Sequence, residues 1–263
     1  MSRKILIVGA SRGLGLALSN HLVNNTDDKL ILCARDTRAL GSSINSKNVF
    51  MDSLDVKNYQ NTIEFVKNAE NKFGHITHLV YTAGVYGPLE IFDKCNINEW
   101  IDALQTNLIG AATLCHTVIK SMLKNNYGKI ILLSGGGATR PMQGCSSYCT
   151  SKTGLIRFAE TLAIEYNKYN IDVNCVSPGP MNTLFLDQAL KAGPGVLGES
   201  FFEQCLKQKD NGGTSFDTPI SLINYLLSKD SDGVTGKLIS AIWDDWKNIP
   251  KGISDQYTLK RTT

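Results

Sequence analysis

The chain has 263 residues, of which 42% are hydrophobic and 19% charged, and its formal net charge is +3 at pH 7. This size suits one large α/β domain with a sizeable core, and the charge is too small to indicate a nucleic-acid partner. Seven cysteines without a CxxC pair favour free thiols in a reducing compartment. No long apolar segment or cleavage site follows Met1, so we expect a cytoplasmic protein without a signal peptide or membrane span.

Predicted strands and helices alternate along the chain. Leu14, Leu18 and Leu22 have helical spacing directly after the first strand. This alternation predicts a Rossmann-type doubly wound parallel sheet of about seven strands with helices on both faces. Short apolar runs typical of buried strands lie at 4–8, 29–34, 48–52, 78–84 (with an exit loop), 129–134 and 171–179. Further helices are predicted at about 57–73, 98–125 and 147–168.

The pattern loosens after Gly179. The segment 181–215 holds apolar residues and a Gly-Pro-Gly break without a clear period, which indicates a mobile substrate lid. A helix at about 217–228 and a strand at 237–240 follow, and an irregular tail occupies 243–263. We therefore predict a single domain over residues 1–263.

Glycine and polar clusters follow four of the predicted strands. They are Gly9–Gly15, Thr82–Gly84, Ser134–Gly137 and Ser177–Gly179. Because ligands of such folds bind beyond the carboxyl ends of the strands, one edge of the sheet is predicted to carry the chemistry. His75 and His78 have a ligand-like gap, but they flank an apolar strand and are interpreted as packing residues. We predict no metal site.

The sequence GASRGLG at 9–15 joins the first strand to the first helix. Its glycines permit a tight turn and the close approach of a phosphate to backbone N–H groups at a helix N-terminus. An NAD site usually has an acid about twenty residues later, where this chain has Ala34 followed by Arg35. Arg12 and Arg35 suit a 2′-phosphate, although Asp36 could partly neutralise Arg35. The pattern therefore favours NADP (NADPH) over NAD.

Two tyrosine–lysine pairs have the spacing of an acid–base pair, Tyr148 with Lys152 and Tyr225 with Lys229. Tyr148 follows a glycine-rich loop and lies in the first turn of a helix, where the helix dipole and Lys152 would lower its pKa towards neutrality. Tyr225 lies among leucines, so it is interpreted as a packing residue. The pattern favours Tyr148 as the proton donor or acceptor.

Ser134, at the end of the fifth strand, is the candidate for hydrogen bonding to the substrate oxygen. Ser146 and Ser147 are interpreted as helix caps, and Cys145 and Cys149 as packing residues without a nucleophilic role.

The ordered motifs GASRGLG, LDV, YTAG, TNLIG, the serine loop, YCTSK and SPGPMNT make the chain similar to the classical short-chain dehydrogenase/reductase family over roughly 4–240. The resemblance implies that Asp55 contacts adenine and that Asn107 orders a water in a proton relay. It also implies that Lys152 holds the nicotinamide ribose, and that the Ser-Pro-Gly loop and Thr183 contact the carboxamide. The candidate cofactor-binding set is Gly9, Ser11, Arg12, Gly13, Leu14, Gly15, Arg35, Asp55, Ala83, Gly84, Lys152, Pro178, Gly179 and Thr183.

The chain departs from the family pattern at several places. Tyr81-Thr82 replaces an asparagine pair, and Val8 stands where a threonine is usual. Gly135 occupies the slot expected for the catalytic serine, one residue after Ser134. A flexible triple-glycine loop absorbs this offset if Ser134 is the functional serine.

The expected activity is NADP(H)-dependent interconversion of a ketone and a secondary alcohol by direct hydride transfer. Reduction of 3-oxoacyl groups on a carrier protein is an alternative, for which Lys191, Lys207 and Lys209 offer a basic patch. A non-catalytic NADPH-sensing protein is a further alternative. Outward apolar residues on the helices at 98–125 and 147–168, together with the family resemblance, indicate a homodimer or homotetramer.

Overall fold

The computed structural model describes residues 2–41, 44 and 46–260. Its strands form one parallel sheet in the order β3-β2-β1-β4-β5-β6-β7. The strands are β1 (Lys4–Val8), β2 (Lys29–Ala34), β3 (Val49–Ser53), β4 (His78–Tyr81), β5 (Gly128–Leu133), β6 (Ile171–Ser177) and β7 (Leu238–Ser240).

Helices connect these strands and cover both faces of the sheet. Their bounds are α1 (Gly13–Asn25), α2 (Arg38–Gly41), α3 (Tyr59–Phe73), α4 (Ile97–Leu104), α5 (Gly110–Asn125), α6 (Ser146–Tyr166), α7 (Leu184–Ala192), α8 (Pro194–Leu197), α9 (Glu199–Asn211) and α10 (Asp217–Leu227). No helix in the described part of the chain is long and apolar enough to cross a membrane.

The sheet separates two apolar cores because neighbouring residues of a strand point to opposite faces. On β1, Leu6 contributes to the core under α3, α5 and α6, whereas Ile7 contributes to the core under α1 and α10. This arrangement explains why the strands are continuous apolar runs. The predicted fold class, a doubly wound parallel sheet of about seven strands, is confirmed.

The strand order reverses between β1 and β4, so the chain leaves these neighbouring strands towards opposite sides of the sheet. A crevice therefore opens beyond their carboxyl ends, which is where doubly wound folds bind ligands. Val8 and Tyr81 are paired at the end of these two strands. The glycine segment after β1 and the residues after β4 therefore face the same crevice.

Two segments differ in detail from the expected pattern. The helix expected over 98–125 is divided into α4 and α5 by a π-helical turn at Gln105–Ile109. The segment 181–215, which lacks a clear period in sequence, contains α7, α8 and α9. Glycines at 193 and 198 with positive φ separate these helices, which breaks the apolar period into short pieces. Residues 243–260 are mostly irregular, and residues 261–263 of the predicted tail lie outside the described residues.

Tyr81 connects β4 to the π-helical turn. Its hydroxyl donates a hydrogen bond of 2.6 Å to the carbonyl of Thr106, and the side chain is completely buried. Gly110 makes room for this contact, since a Cβ atom there would lie 2.7 Å from the Tyr81 hydroxyl. The tyrosine that replaces the usual asparagine therefore fixes the segment that carries Asn107.

Candidate functional site

A cavity of about 1530 Å³ lies at the carboxyl ends of the strands. It extends from the glycine segment after β1, past the start of α6, to α7 and α9. The structure brings the predicted site residues together in the wall of this cavity, with the exception of Asn107. Asn107 does not line the cavity, but it is hydrogen-bonded to Val85, which does. Those in the wall are Gly9, Ser11, Arg12, Gly13, Leu14, Gly15, Arg35, Asp55, Ala83, Gly84, Ser134, Tyr148, Lys152, Pro178, Gly179 and Thr183.

The glycine segment packs tightly on the end of β4. Gly9 has a φ of 85°, and a Cβ atom there would lie 2.7 Å from the backbone nitrogen of Ala83. A Cβ atom on Gly15 would lie 2.3 Å from the carbonyl oxygen of Gly9. Thr82 stabilises this turn, because its hydroxyl donates a hydrogen bond of 2.7 Å to the carbonyl of Val8. The N-terminus of α1 therefore faces the cavity, where its backbone N–H groups can bind an anion.

The ends of β1 and β2 present two arginines to the cavity. Arg12 is the N-cap residue of α1, and Arg35 follows the buried Ala34. Asp36 forms its salt bridge with Arg38 at 2.6 Å, and this pairing lowers the pKa of Asp36 to about 2. Asp36 therefore neutralises Arg38, not Arg35, and Arg35 remains available to an anion.

The opposite wall is formed by the segment after β6. Gly179 has a φ of 92°, and its hypothetical Cβ would lie 2.8 Å from a side-chain carbon of Ile242. Thr183 caps α7 by accepting a hydrogen bond from the Phe185 backbone nitrogen. A Cβ on Gly13 would lie 3.7 Å from the Thr183 methyl carbon, so the two walls approach each other closely. A ligand in the cavity would be enclosed between them.

Tyr148 lies in the first turn of α6 and is partly buried. Its ring packs edge-on against Tyr86, with 4.9 Å between the ring centroids, and lies 6.0 Å from Phe185. Burial raises the pKa of Tyr148 above its usual value, and the neighbouring Cys149 and Cys145 add to this shift. The expectation that the protein groups lower this pKa is therefore wrong, because an apolar surrounding disfavours the phenolate.

Lys152 lies one turn further along α6 with its side chain buried. Its ammonium donates a hydrogen bond of 2.6 Å to the carbonyl of Leu133 at the end of β5. Burial lowers the pKa of Lys152 to about 8. A Cβ atom on Gly84 would lie 3.5 Å from both Lys152 Nζ and Asn107 Oδ1, so these two polar groups approach the same point beside the cavity.

The side chain of Asn107 is fully buried in the π-helical turn. Its Oδ1 accepts a hydrogen bond of 2.8 Å from the Val85 backbone nitrogen, and its Nδ2 donates to the Val85 carbonyl at 2.8 Å. The same Nδ2 donates to Ser151 Oγ at 2.9 Å. The amide therefore links the segment after β4 to α6, which is the helix that carries Tyr148 and Lys152.

Ser134 and Gly135 lie where the serine of the site is expected. Ser134 lines the cavity and is 5% exposed, and its buried hydroxyl has no hydrogen-bond partner among the described residues. A Cβ atom on Gly135 would lie only 2.1 Å from the Tyr148 hydroxyl oxygen. Gly135 therefore gives the space that the tyrosine hydroxyl fills, and Ser134 is the buried hydroxyl with free bonding capacity.

Several contacts of the site are not evident from sequence. Ser147 donates to the Tyr86 carbonyl at 2.8 Å, and Ser146 accepts from the indole nitrogen of Trp100 at 3.0 Å. Neither serine caps α6, so the capping interpretation is wrong. Tyr86 follows the YTAG motif and Phe185 follows Thr183, but no spacing in sequence indicates that both rings pack against Tyr148.

Other candidate groups lie apart from this constellation. Tyr225 does not line the cavity and packs on Trp246, with 5.6 Å between ring centroids. His78 is buried, and burial lowers its pKa to about 3. Burial also raises the pKa of Cys145 to about 12, which disfavours a nucleophilic thiolate. Within the described part of the chain, no group of three His, Cys, Asp or Glu side chains is arranged to hold a metal ion.

Comparison with known proteins agrees with this architecture. The family model described as "short chain dehydrogenase" matches residues 3–192. The chain is 30% identical over 182 residues to the 3-oxoacyl-acyl-carrier-protein reductase FabG of Salmonella typhimurium, covering 68% of this chain and 73% of that protein. It is 31% identical over 193 residues to an 11-beta-hydroxysteroid dehydrogenase-like protein of Arabidopsis thaliana, covering 70% of this chain but only 60% of that relative's length.

A solved structure also resembles the fold. The actinorhodin polyketide ketoreductase, crystallised as a Phe-to-Trp variant with NADPH, superposes with a TM-score of 0.81 at 22% identity. The match covers 94% of this chain and 98% of that one.

A parallel sheet with a glycine turn at its reversal point and a Tyr-x-x-x-Lys pair beside it defines a class of dinucleotide-binding oxidoreductases. Within that class, this chain belongs to the short-chain dehydrogenase family.

The pKa of Lys152 can be tested directly. Because burial disfavours the ammonium, we expect Lys152 to lose its proton with a midpoint near pH 8, compared with about 10.4 for an unperturbed lysine. The contribution of Lys152 to folding stability should accordingly rise as the pH increases from about 8 to about 10.4, where the unfolded chain binds more protons. Nuclear magnetic resonance of ¹³C-labelled lysine, assigned with Lys152→Met, measures this midpoint. A midpoint above pH 10 would contradict the assigned environment.

Proposed function

We propose that the protein is an NADP(H)-dependent oxidoreductase that interconverts a ketone and a secondary alcohol. One observation carries this proposal. Tyr148, Lys152 and Ser134, whose buried hydroxyl has no hydrogen-bond partner among the described residues, line the same cavity as the glycine segment Gly9–Gly15. An acid–base group, a cation beside it and a free hydrogen-bond donor are the protein groups that carbonyl reduction requires.

The residues of the cavity fit a nicotinamide dinucleotide. The backbone at Ser11, Gly13 and Leu14 lies at the start of α1, where N–H groups can bind the pyrophosphate. Arg12 and Arg35 would bind the 2′-phosphate, since neither forms a salt bridge within the described residues. Asp55, Ala83 and Gly84 would hold the adenosine and ribose units, and Lys152, Pro178, Gly179 and Thr183 the nicotinamide end. When bound, the reduced nicotinamide supplies a hydride for the carbonyl carbon.

Tyr148 would donate the proton to the carbonyl oxygen. Its raised pKa keeps the phenol protonated at neutral pH, which is the form that a reduction requires. Lys152, with a pKa of about 8, is mostly charged at pH 7 and favours the tyrosinate that forms when the proton leaves. Ser134 would donate a hydrogen bond to the same carbonyl oxygen. Asn107 would support the relay by fixing the backbone of Val85 and the position of α6.

A second candidate function is the reduction of 3-oxoacyl groups on a carrier protein. The similarity to FabG supports it, because the name of that relative states this substrate. Lys191 lies on α7, and Lys207 and Lys209 lie on α9. All three are exposed, and Lys207 lines the cavity. Cationic side chains there would favour an acidic carrier. The chemistry at Tyr148 is the same in both proposals, and they differ in the substrate.

We also propose that the protein forms a homodimer or homotetramer through α4, α5 and α6. Ile101 on α4 is 47% exposed, and Ile164 on α6 is 67% exposed. Ile97, on the same face of α4 as Ile101, is 52% exposed. Exposed large apolar side chains on adjoining helices are typical of a surface that a second subunit covers.

Replacement of the acid–base group tests the chemistry. We expect Tyr148→Phe to lower kcat for NADPH-dependent ketone reduction by at least about 100-fold, because the proton donor is lost. NADPH binding, measured by fluorescence, should change little. Tyr225→Phe is the matched control, since this tyrosine also has a lysine four residues later but packs on Trp246. If both the wild type and Tyr148→Phe bind NADPH and neither reduces any of a broad set of ketones, the non-catalytic alternative is favoured.

Cofactor choice depends on Arg35. We expect Arg35→Ala to raise KM for NADPH by about 10- to 100-fold, the cost of a lost charge-assisted hydrogen bond to phosphate, with little change in KM for NADH. Arg157→Ala is the control, because Arg157 on α6 is exposed, pairs with Glu160 and does not line the cavity. Equal effects of Arg35→Ala on the two cofactors, measured by steady-state kinetics, would rule out a 2′-phosphate contact.

The assembly is tested with Ile101→Asp. A carboxylate in an apolar interface is expensive to bury, so this change should shift the protein towards monomers in sedimentation velocity. Leu184→Asp, at a similarly exposed residue on α7, should leave the mass of the particle unchanged. A wild-type protein that sediments as a monomer at micromolar concentration would overturn the proposal.

A further inference from the structure

Beyond Tyr148 the cavity has an apolar inner wall. Tyr86 and Phe185 pack edge-on with 4.6 Å between their ring centroids, and both contact the Tyr148 ring. Leu186 and Cys205 are buried in the same wall. A carbonyl compound whose oxygen reaches the Tyr148 hydroxyl would therefore place its neighbouring carbon atoms against apolar and aromatic surfaces, which favour an apolar body over a hydroxylated one.

The mouth of the cavity has the opposite character. Four polar residues of α9 line it, at the i, i+3, i+4 and i+7 spacing that places side chains on one helix face. Across the mouth lies Arg140, on the loop before α6. The guanidinium of Arg140 donates a hydrogen bond of 3.4 Å to Gln204 Oε1. The four α9 residues are Gln204, Lys207, Gln208 and Asn211.

Two cations line this mouth. Lys207 is one helical turn from Gln204, the residue that Arg140 contacts. Neither Arg140 nor Lys207 forms a salt bridge within residues 2–41, 44 and 46–260. Arg140 has five N–H donors, and its contact with Gln204 uses one nitrogen. Both side chains therefore retain donors that can bind an anion.

The acidic groups of the cavity do not balance this charge. Asp36 pairs with Arg38, and Asp55 accepts a hydrogen bond from the Lys57 backbone nitrogen, both near the ends of β2 and β3. Asp244 follows β7 and accepts a hydrogen bond of 2.7 Å from the Ser240 backbone nitrogen. Arg140 and Lys207 are therefore the charged side chains among the residues that line this mouth, with an apolar wall behind them, whereas Glu203 and Asp210 of α9 do not line the cavity.

We propose that the substrate is an apolar ketone with a distal carboxylate or phosphate, which Arg140 and Lys207 bind at the mouth of the cavity. This inference rests on the proposed function, because it takes the ketone to be positioned at Tyr148. Arg140 forms the directional contact, since a guanidinium can bind both oxygens of a carboxylate or phosphate. Lys207 adds charge from the facing helix. The pair selects among ketones by their charge and does not act on the carbonyl.

Two pairs of aryl ketones test the proposal. The carboxylate pair is 3-benzoylpropionate and its methyl ester, and the phosphate pair is 4-oxo-4-phenylbutyl phosphate and 4-hydroxybutyrophenone. We expect the charged member of at least one pair to have the lower KM with NADPH, and the pair with the larger difference identifies the anion. Arg140→Gln and Lys207→Gln should each raise that KM by about 2- to 5-fold, and together by about tenfold, as for solvent-accessible charge pairs. kcat and the KM of the neutral member should change little.

Lys209→Gln is the matched control, because Lys209 lies on α9, is exposed and does not line the cavity. The advantage of the charged substrate should also shrink as the salt concentration rises. Equal KM values within both pairs in the wild type would overturn the proposal. So would an effect of Lys209→Gln as large as that of Lys207→Gln, since the charge of the surface as a whole would then suffice.

A binding measurement separates this inference from the proposed function. Calorimetry of the NADPH-loaded protein with the same compounds does not require turnover. Tighter binding of a charged member, lost in Arg140→Gln, would support the anion site even if no ketone is reduced, and the absence of turnover would then count against the oxidoreductase proposal alone. Failure of both charged compounds to bind better than their neutral partners would overturn the anion site.

Discussion

The parallel register of the sheet is the constraint on which the rest of the structure depends. Because every strand runs in the same direction, the residues that follow Val8, Ala34, Tyr81, Leu133 and Ser177 emerge at one edge. The reversal of strand order between β1 and β4 opens a crevice at that edge. Segments far apart in sequence thus form one cavity, with the arginines near β1 and β2 at one end and α6, α7 and α9 at the other.

Burial sets the electrostatics at the centre of this cavity. It raises the pKa of Tyr148 and lowers the pKa of Lys152, so both shifts favour the uncharged form of each group. A charge that develops there during a reaction would be weakly screened and would depend strongly on the few groups nearby. The hydrogen bonds of the buried Asn107 amide to Val85 and Ser151 fix the position of α6, which carries Tyr148 and Lys152. Position and low polarity therefore act together, which is a general feature of preorganised sites.

The departures from the family pattern have local physical explanations. Tyr81 uses its longer side chain to reach the π-helical turn, and Gly110 accommodates the hydroxyl. Thr82 donates to the end of β1 and packs beside Gly9 and Gly15. Each replacement therefore keeps β4 tied to its neighbours with different atoms. At position 135, the glycine has a different effect, because the absence of a side chain leaves room for the hydroxyl of Tyr148.

Sequence by itself determined the layered α/β class, the strands, the glycine turn and the Tyr-x-x-x-Lys pair, because these depend on local periodicity and short spacings. Only the tertiary structure decided that Asp36 pairs with Arg38, that Ser146 and Ser147 bond to Trp100 and Tyr86, and that the apolar wall raises the pKa of Tyr148. These features join residues from separate elements, and the burial that shifts a pKa is a property of the packed surroundings, which the spacing of residues along a chain does not specify.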